Sequence, residues 1–104
     1  MSKGYWMVRV DISDLDQYKR YIAANAGPLA HYGGKFLVRG GAFEAVEGDS
    51  RSRNAVIEFH SYQAALDCWR SPGYQHAKSL RDGVCTIELL VIEGYDGPQP
   101  TTFE

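Results

Sequence analysis

Arg39 is the residue of this sequence whose type and setting most favour chemistry. It ends a predicted strand at residues 35–39, and the alternation of strand side chains places it on the open face of the expected sheet, away from the helices. There its guanidinium could hold a carboxylate or an enolate through two hydrogen bonds. A structural ion pair with Glu58 or Glu88, which the same alternation places on that face, is the competing interpretation. Arg9 lies on the same face and has the same two interpretations, ligand binding or a structural ion pair. The structural one is supported because two arginines and two glutamates nearly neutralise each other, as a sealed interface requires.

Histidine and tyrosine side chains supply candidates for acid–base chemistry. His31 lies at the end of the first predicted helix, where the helix dipole favours a cationic imidazole, and it is the best candidate for a general base. Tyr74 could orient a ligand carbonyl, and His76, two residues further along the same short helix, could meet a ligand at the same cleft. Each also has a plain interpretation, which is a solvated histidine for His31, core packing for Tyr74 and a surface position for His76.

Several kinds of site leave no pattern in this sequence. Cys68 and Cys85 have no CxxC or Cys/His spacing, so we expect buried thiols rather than metal ligands. No Ser/His/Asp arrangement can be recognised, and no glycine cluster opens a helix as a phosphate-binding loop does. The three histidines are scattered. We therefore expect neither a metal nor a cofactor.

Composition and charge indicate one ordinary globular domain. The 104 residues are 44% hydrophobic and 23% charged, and the formal net charge of −2 comes without any basic run. This balance gives no reason to expect binding to nucleic acid or to an anionic membrane. No targeting segment or membrane-spanning stretch can be recognised, so a cytoplasmic location is the expectation. We expect a single domain over residues 1–95 and a C-terminal tail over residues 96–104.

Hydrophobic periodicity predicts alternating strands and helices. The strands are expected at residues 5–11, 35–39 with a continuation as an edge arm at 42–46, 54–59 and 84–93, and helices are expected after Ser13, Ser61 and Ser71. Ser13 and Asp16 resemble a capping box, and Gly27-Pro28 predicts a kink or a restart in the first helix. The pair Gly33-Gly34 predicts its end.

The order β-α-β-β-α-β is the ferredoxin-like motif of the α+β class, an antiparallel sheet with helices on one face. In this arrangement Phe36 and Val38 would face the helices. The other face would carry apolar side chains at Tyr5, Met7, Leu37, Val56, Leu90 and Ile92. An exposed apolar patch of this size usually marks an interface. We therefore expect a homodimer formed through the open sheet face.

The chain resembles the DUF1330 family, a domain of unknown function within the dimeric α/β-barrel superfamily. The resemblance covers about residues 4–94 and is carried mainly by the run Gly33-Gly34-Lys35-Phe36-Leu37-Val38-Arg39-Gly40-Gly41 and by Ser71-Pro72-Gly73-Tyr74-Gln75. His60 and Gly73 depart from the family, which more often has Pro and Glu there. The resemblance implies a dimeric α/β barrel. Its superfamily includes cofactor-independent monooxygenases, lactone isomerases, haem-degrading enzymes and proteins without assigned chemistry, so it selects no reaction.

Two hypotheses follow from the sequence. In the first, the domain binds a small aromatic or carboxylate-bearing molecule in a cleft between sheet and helices, with possible cofactor-independent oxygenase or isomerase-like chemistry. His31 would be the base, Arg39 would stabilise negative charge, Tyr74 would orient the ligand and Glu58 would position Arg39. Arg9 and His76 would be further ligand-binding residues. In the second hypothesis, the domain is a non-catalytic dimerisation module without a small-molecule substrate.

Overall fold

The computed structural model describes residues 2–101 as an antiparallel sheet covered on one side by helices. The elements in chain order are β1 (Gly4–Ile12), α1 (Leu15–His31), β2 (Lys35–Arg39), β3 (Arg53–Phe59), α2 (Tyr62–Arg70), α3 (Pro72–Ser79) and β4 (Cys85–Glu93). The predicted order is confirmed. Residues 94–101 contain neither helix nor strand, and the end of the predicted tail, residues 102–104, lies outside the described part of the chain.

The strand order β2-β3-β1-β4, with every neighbouring pair antiparallel, is that of a ferredoxin-like α+β fold. Trp6 shows how the helices are held on the sheet. It is 1% exposed, packs against the Phe59 and Tyr74 rings, and its indole nitrogen donates a hydrogen bond to the Ala65 carbonyl at 2.9 Å. The core therefore joins β1 directly to α2 and α3.

Helix α1 differs from its predicted form at both ends. Asp14, rather than Ser13, caps it, because the Asp14 carboxylate accepts from the Gln17 amide at 3.1 Å while the Ser13 amide donates to the Val84 carbonyl. The expected restart at Gly27-Pro28 does not occur, and α1 continues to His31. Pro28 lies in the last turn of α1, and its ring sits against Gly73 of α3.

A β-bulge in β2 changes which side chains face the helices. Phe36 pairs with Ile57, but Val38 pairs with Val56 and Arg39 with Ala55, so one extra residue is inserted between Phe36 and Val38. Phe36 faces the helices as predicted. The predicted faces of Val38 and Arg39 are wrong, because a shift of one residue turns each following side chain to the other face. Arg39 consequently lies on the helix side of the sheet.

The segment between β2 and β3 is an exposed loop rather than the predicted edge arm. Residues 42–46 form no strand, and the Gly40 amide makes the hydrogen bond that closes this end of the β2–β3 pair, 2.8 Å from the Asn54 carbonyl. Gly40 has a φ of +67°, the left-handed conformation that glycine adopts readily. This conformation turns the chain away from the direction of β2.

Candidate functional site

A cleft lies between α1 and the β2–β3 side of the sheet. Its lining includes the sheet residues Trp6, Val8 and Ile57 and the α1 residues Tyr18 and Tyr21. The enclosed volume is about 50 Å³, enough for a few water molecules or for part of a small ligand. The cleft is therefore a small, partly open concavity with mostly apolar walls.

Two arginines stand at the rim of this cleft. The guanidinium carbon of Arg39 lies 4.2 Å from the centroid of the Phe36 ring, a cation–π distance. Arg53 extends across Gly40, where an added Cβ would come within 2.7 Å of an Arg53 nitrogen. Within residues 2–101, neither guanidinium forms a salt bridge. Both rim charges are therefore available to an anion.

Tyr18 is the more buried of the two tyrosines that line the cleft. It is 4% exposed, and burial raises the pKa of its hydroxyl to about 12, so the phenol stays protonated at physiological pH. No hydrogen bond joins that hydroxyl to another group in the described part of the chain. The Tyr21 hydroxyl, in contrast, is occupied by the Tyr74 hydroxyl at 2.7 Å.

Behind the cleft lies a buried cation that has no carboxylate partner among residues 2–101. Arg81 is 7% exposed, one of its terminal nitrogens donates to the Tyr74 hydroxyl at 3.4 Å, and its guanidinium carbon lies 5.1 Å from the Tyr21 ring centroid. Its Nε is buried and has no hydrogen-bond acceptor among residues 2–101. An arginine remains charged even when buried, so Arg81 adds positive potential behind the tyrosine wall.

The structure separates the predicted site residues. Arg39 lines the cleft, whereas Tyr74 is fully buried behind Tyr21 and is not among the lining residues. His31 is exposed and lines a shallow hollow between the end of α1 and the start of α3, which shares no residue with the cleft. His76 is exposed on α3 and lines neither concavity. These residues therefore do not form one constellation.

Glu58 and Arg9 lie on the open face, on the opposite side of the sheet from Arg39. The Tyr5 hydroxyl donates to Glu58 at 3.4 Å, and Arg9 donates to the Asp49 carbonyl at 3.4 Å. The expectation that Glu58 positions Arg39 is thus wrong, as is the alternative ion pair of Arg39 with a glutamate. The reason is the bulge in β2, which places the Arg39 side chain on the helix side of the sheet instead of the open face.

Three contributors to this site were not singled out by the sequence reasoning. Strand alternation could have found Arg53. It precedes Ala55 by two residues and Ile57 by four, and this spacing places all three side chains on the helix-facing side of β3. The spacing of Tyr18 fits the apolar stripe of α1, so the sequence indicated only that Tyr18 belongs to the core. Arg81 follows α3 in a polar sequence, and nothing in that sequence indicates burial.

No three His, Cys, Asp or Glu side chains of residues 2–101 lie together as a metal-binding group. The helices of that range are also too short or too polar to cross a membrane.

Several solved structures share the fold. A protein of unknown function from Rhodopseudomonas palustris aligns with a TM-score of 0.74 at 15% identity, over 92% of this chain and 85% of the other. SnoaB, a cofactor-independent oxygenase from Streptomyces nogalater, aligns with a TM-score of 0.60 at 14% identity, over the full length of both chains. A dimeric ferredoxin-like protein of unknown function from Thermobifida fusca has a TM-score of 0.51 at 11% identity, over 88% of this chain and 89% of the other.

Sequence comparison extends the likeness beyond the fold. Among curated proteins, none is significantly similar to this chain. The sequence model of a domain of unknown function, DUF1330, matches residues 3–95, which include every helix and strand described above. The chain therefore belongs to the DUF1330 family.

Proposed function

We propose that this domain binds a small aromatic carboxylate in the cleft between α1 and the sheet. The observation that carries the proposal is the pair of rim guanidiniums, Arg39 and Arg53, which have no salt-bridge partner within residues 2–101 and stand over an apolar, aromatic cavity. Guanidinium groups recognise carboxylates through two parallel hydrogen bonds. The apolar walls suit a ring, and the rim suits its charged group.

The local charge supports an anionic ligand. The whole chain has a formal net charge of −2, yet the lining of the cleft contains two arginines and no acidic residue, with Arg81 behind it. A concave site of one sign, bounded by apolar walls of low dielectric, attracts small ions of the opposite sign. Since no described carboxylate neutralises these cations, a bound carboxylate would do so.

The size of the cavity limits the ligand. An enclosed volume of about 50 Å³ is much smaller than the several hundred Å³ typical of drug-sized ligands. Arg39 and Phe36 are both exposed, so their side chains can move outward to admit a single ring. We therefore propose a monocyclic carboxylate rather than a fused-ring or lipid-like molecule.

Acid–base chemistry on the bound molecule is a second candidate function. Guanidiniums at the rim could stabilise an enolate or phenolate, which is the kind of charge that cofactor-independent oxygenase or isomerase chemistry develops. One of the structural neighbours is a cofactor-independent oxygenase. In this proposal Arg39 and Arg53 stabilise the anion, and Tyr74 acts indirectly by holding the Tyr21 hydroxyl. His31 lines a different hollow and contributes to the cleft only if the ligand extends beyond it.

We also propose that two copies associate through the open face of the sheet. Exposed apolar side chains there include Met7, Val38, Leu90 and Ile92. The charged groups at one end of this face are already paired within the chain, so they do not oppose close contact. If the domain is only a dimerisation module, this face is its functional surface and the cleft stays empty.

The test of the binding proposal is isothermal titration calorimetry with benzoate, and with benzyl alcohol as the uncharged analogue. We expect saturable binding of benzoate and much weaker binding of the alcohol. R39A and R53A should each weaken benzoate binding about tenfold or more, because each removes a charge-assisted hydrogen-bond donor.

R20A provides the matched control. Arg20 is an exposed arginine of α1 outside the cleft lining, so its removal changes net charge equally without touching the site. If R20A weakens binding as much as R39A does, the effect is general electrostatics and the rim is not a binding site. If benzoate does not bind to the wild-type protein, the proposal fails and the dimerisation module becomes the better account.

A further inference from the structure

The Tyr18 hydroxyl is a hydrogen-bonding group without a partner. Tyr18 is 4% exposed and lines the cleft, and its hydroxyl has no hydrogen bond to any group of residues 2–101. Within the same range, Arg81 Nε is the one unpaired side-chain nitrogen or oxygen that is fully enclosed, so the Tyr18 hydroxyl keeps some exposed surface. Solvent can therefore reach the Tyr18 hydroxyl, although the residue as a whole is buried.

The other polar groups around the cleft are either hydrogen-bonded within the protein or more exposed than Tyr18. The Tyr21 hydroxyl is engaged by Tyr74 at 2.7 Å. Asn25 also lines the cleft but is only half-buried, so water can satisfy its amide. Arg39 and Arg53 are at the rim. Tyr18 is thus a nearly buried residue whose donor is left unpaired by residues 2–101, so that a ligand which displaces water from the cleft would have to accept its hydrogen bond.

The surroundings of Tyr18 favour donation to an oxygen that carries negative charge. Arg53 and Arg81 both lie close enough to act on the Tyr18 hydroxyl, and each favours its ionised form, but burial outweighs them and keeps the phenol protonated. A protonated phenol donates, and the two nearby cations attract an acceptor that is electron-rich. Leaving such a buried donor unpaired in a complex costs free energy, which is how a site rejects a ligand that lacks the matching group.

We propose that Tyr18 is the specificity-determining residue of the cleft, donating a hydrogen bond to a ring oxygen of the ligand so that oxygen-substituted aromatic carboxylates bind in preference to the unsubstituted ring. This proposal rests on the function proposed above and names its ligand class more closely. The carboxylate binds at the arginine rim, and the phenolic or keto oxygen lies at the Tyr18 hydroxyl.

The experiment compares benzoate with the 2-, 3- and 4-hydroxybenzoates by calorimetry on the wild-type protein and on Y18F. At least one hydroxybenzoate should bind the wild-type protein about tenfold more tightly than benzoate, from one additional hydrogen bond. Y18F should remove this preference, so that benzoate and the hydroxybenzoates bind the variant with affinities within about twofold of one another. Y62F is the matched control, since Tyr62 is 38% exposed on α2 and lies outside the cleft lining, and it should keep the preference.

The outcomes separate the two proposals. If the wild-type protein binds benzoate and every hydroxybenzoate equally, the cleft binds carboxylates but Tyr18 does not select among them. The same conclusion holds if Y18F keeps the wild-type preference. If none of the four compounds binds, the proposed function fails and this inference fails with it. A thermal melt of Y18F, which removes a single oxygen, checks that lost selectivity does not come from lost folding.

Discussion

On the open face of the sheet one cluster of charged groups forms salt bridges, whereas the arginines on the helix side form none within residues 2–101. Arg51 donates to Glu88 at 2.9 Å and to Asp11 at 3.0 Å, and this network ties the loop before β3 to β1 and β4. On the helix side, Arg39 and Arg53 have no salt bridge within residues 2–101, and Arg81 is buried with only a long hydrogen bond to Tyr74.

The contrast separates charges that join parts of the fold from charges that the proposed ligand would use. Arg81 is the buried one of the three helix-side arginines, and burying a cation without a counter-ion is costly, so a bound anion nearby would lower that cost. The open face instead combines paired charges with exposed apolar side chains, which is suited to contact with another protein surface. One sheet thus presents two different surfaces, and each can be tested by substitutions on matched residues.

The largest expected difference between the two faces is in folding stability. W6A should lower the free energy of unfolding by about 3–5 kcal/mol, because it removes a ring that is 1% exposed and packed on Phe59 and Tyr74. M7A, the next residue on the opposite face and 44% exposed, should cost less than about 1 kcal/mol. Urea denaturation at a low protein concentration measures both variants. Equal losses would mean that the open face is as well packed as the core.

The next effect is on assembly. L90K places a charge on the open face at a side chain that is 52% exposed, so it should convert a dimer to a monomer without lowering the stability of the monomer. Native mass spectrometry reports the subunit number. K3A, an exposed charge change at the start of the described chain, serves as the control. A wild-type monomer, or an L90K dimer of wild-type affinity, would contradict the proposed interface.

The smallest expected effect is the acid sensitivity of the paired charges. The Ser52 amide and Arg51 lower the pKa of Asp11, and Arg51 lowers that of Glu88. A carboxyl with a lowered folded-state pKa stabilises the fold above its unfolded pKa, and this contribution is lost as the pH falls through the folded value. The stability difference between wild type and R51A should therefore be greatest near neutral pH and shrink below about pH 4. Urea titrations at pH 7 and pH 3 measure it, and a constant difference would show that the network adds no stability.

The sequence was most informative about elements with long, regular patterns. The apolar alternation of β1 and β4 predicted which of their side chains face the helices, and the register of the sheet agrees for Trp6, Val8 and Val10. Ser61 and Ser71 were predicted as helix caps, and each side chain accepts an amide of its helix. Such features depend on residues close together in the chain, so they can be predicted from sequence alone.

The candidate site depended on features that the sequence does not encode locally. Arg39 was the strongest single candidate for ligand binding, but it was predicted on the wrong face of the sheet. His31 and Tyr74 were expected at one cleft, and the fold places one in an exposed hollow and the other in the core. The roles predicted for His31 and Tyr74 stay predictions. Because the two side chains lie in different parts of the molecule, they do not act together at one cleft.

By itself, the sequence determined the order of the elements, the apolar character of both sheet faces and the family of the chain. Only the tertiary structure decided where the charges lie. The bulge in β2 forms through pairing with β3, a contact between residues almost twenty positions apart, and it carries Arg39 to the helix side. Arg81 is buried against Tyr74 of α3 and the ring of Tyr21 of α1, although the residues that follow it in the sequence, Asp82 and Gly83, are exposed. Local patterns set the periodicity of each strand and helix, but long-range pairing decides which side of the sheet receives each charge.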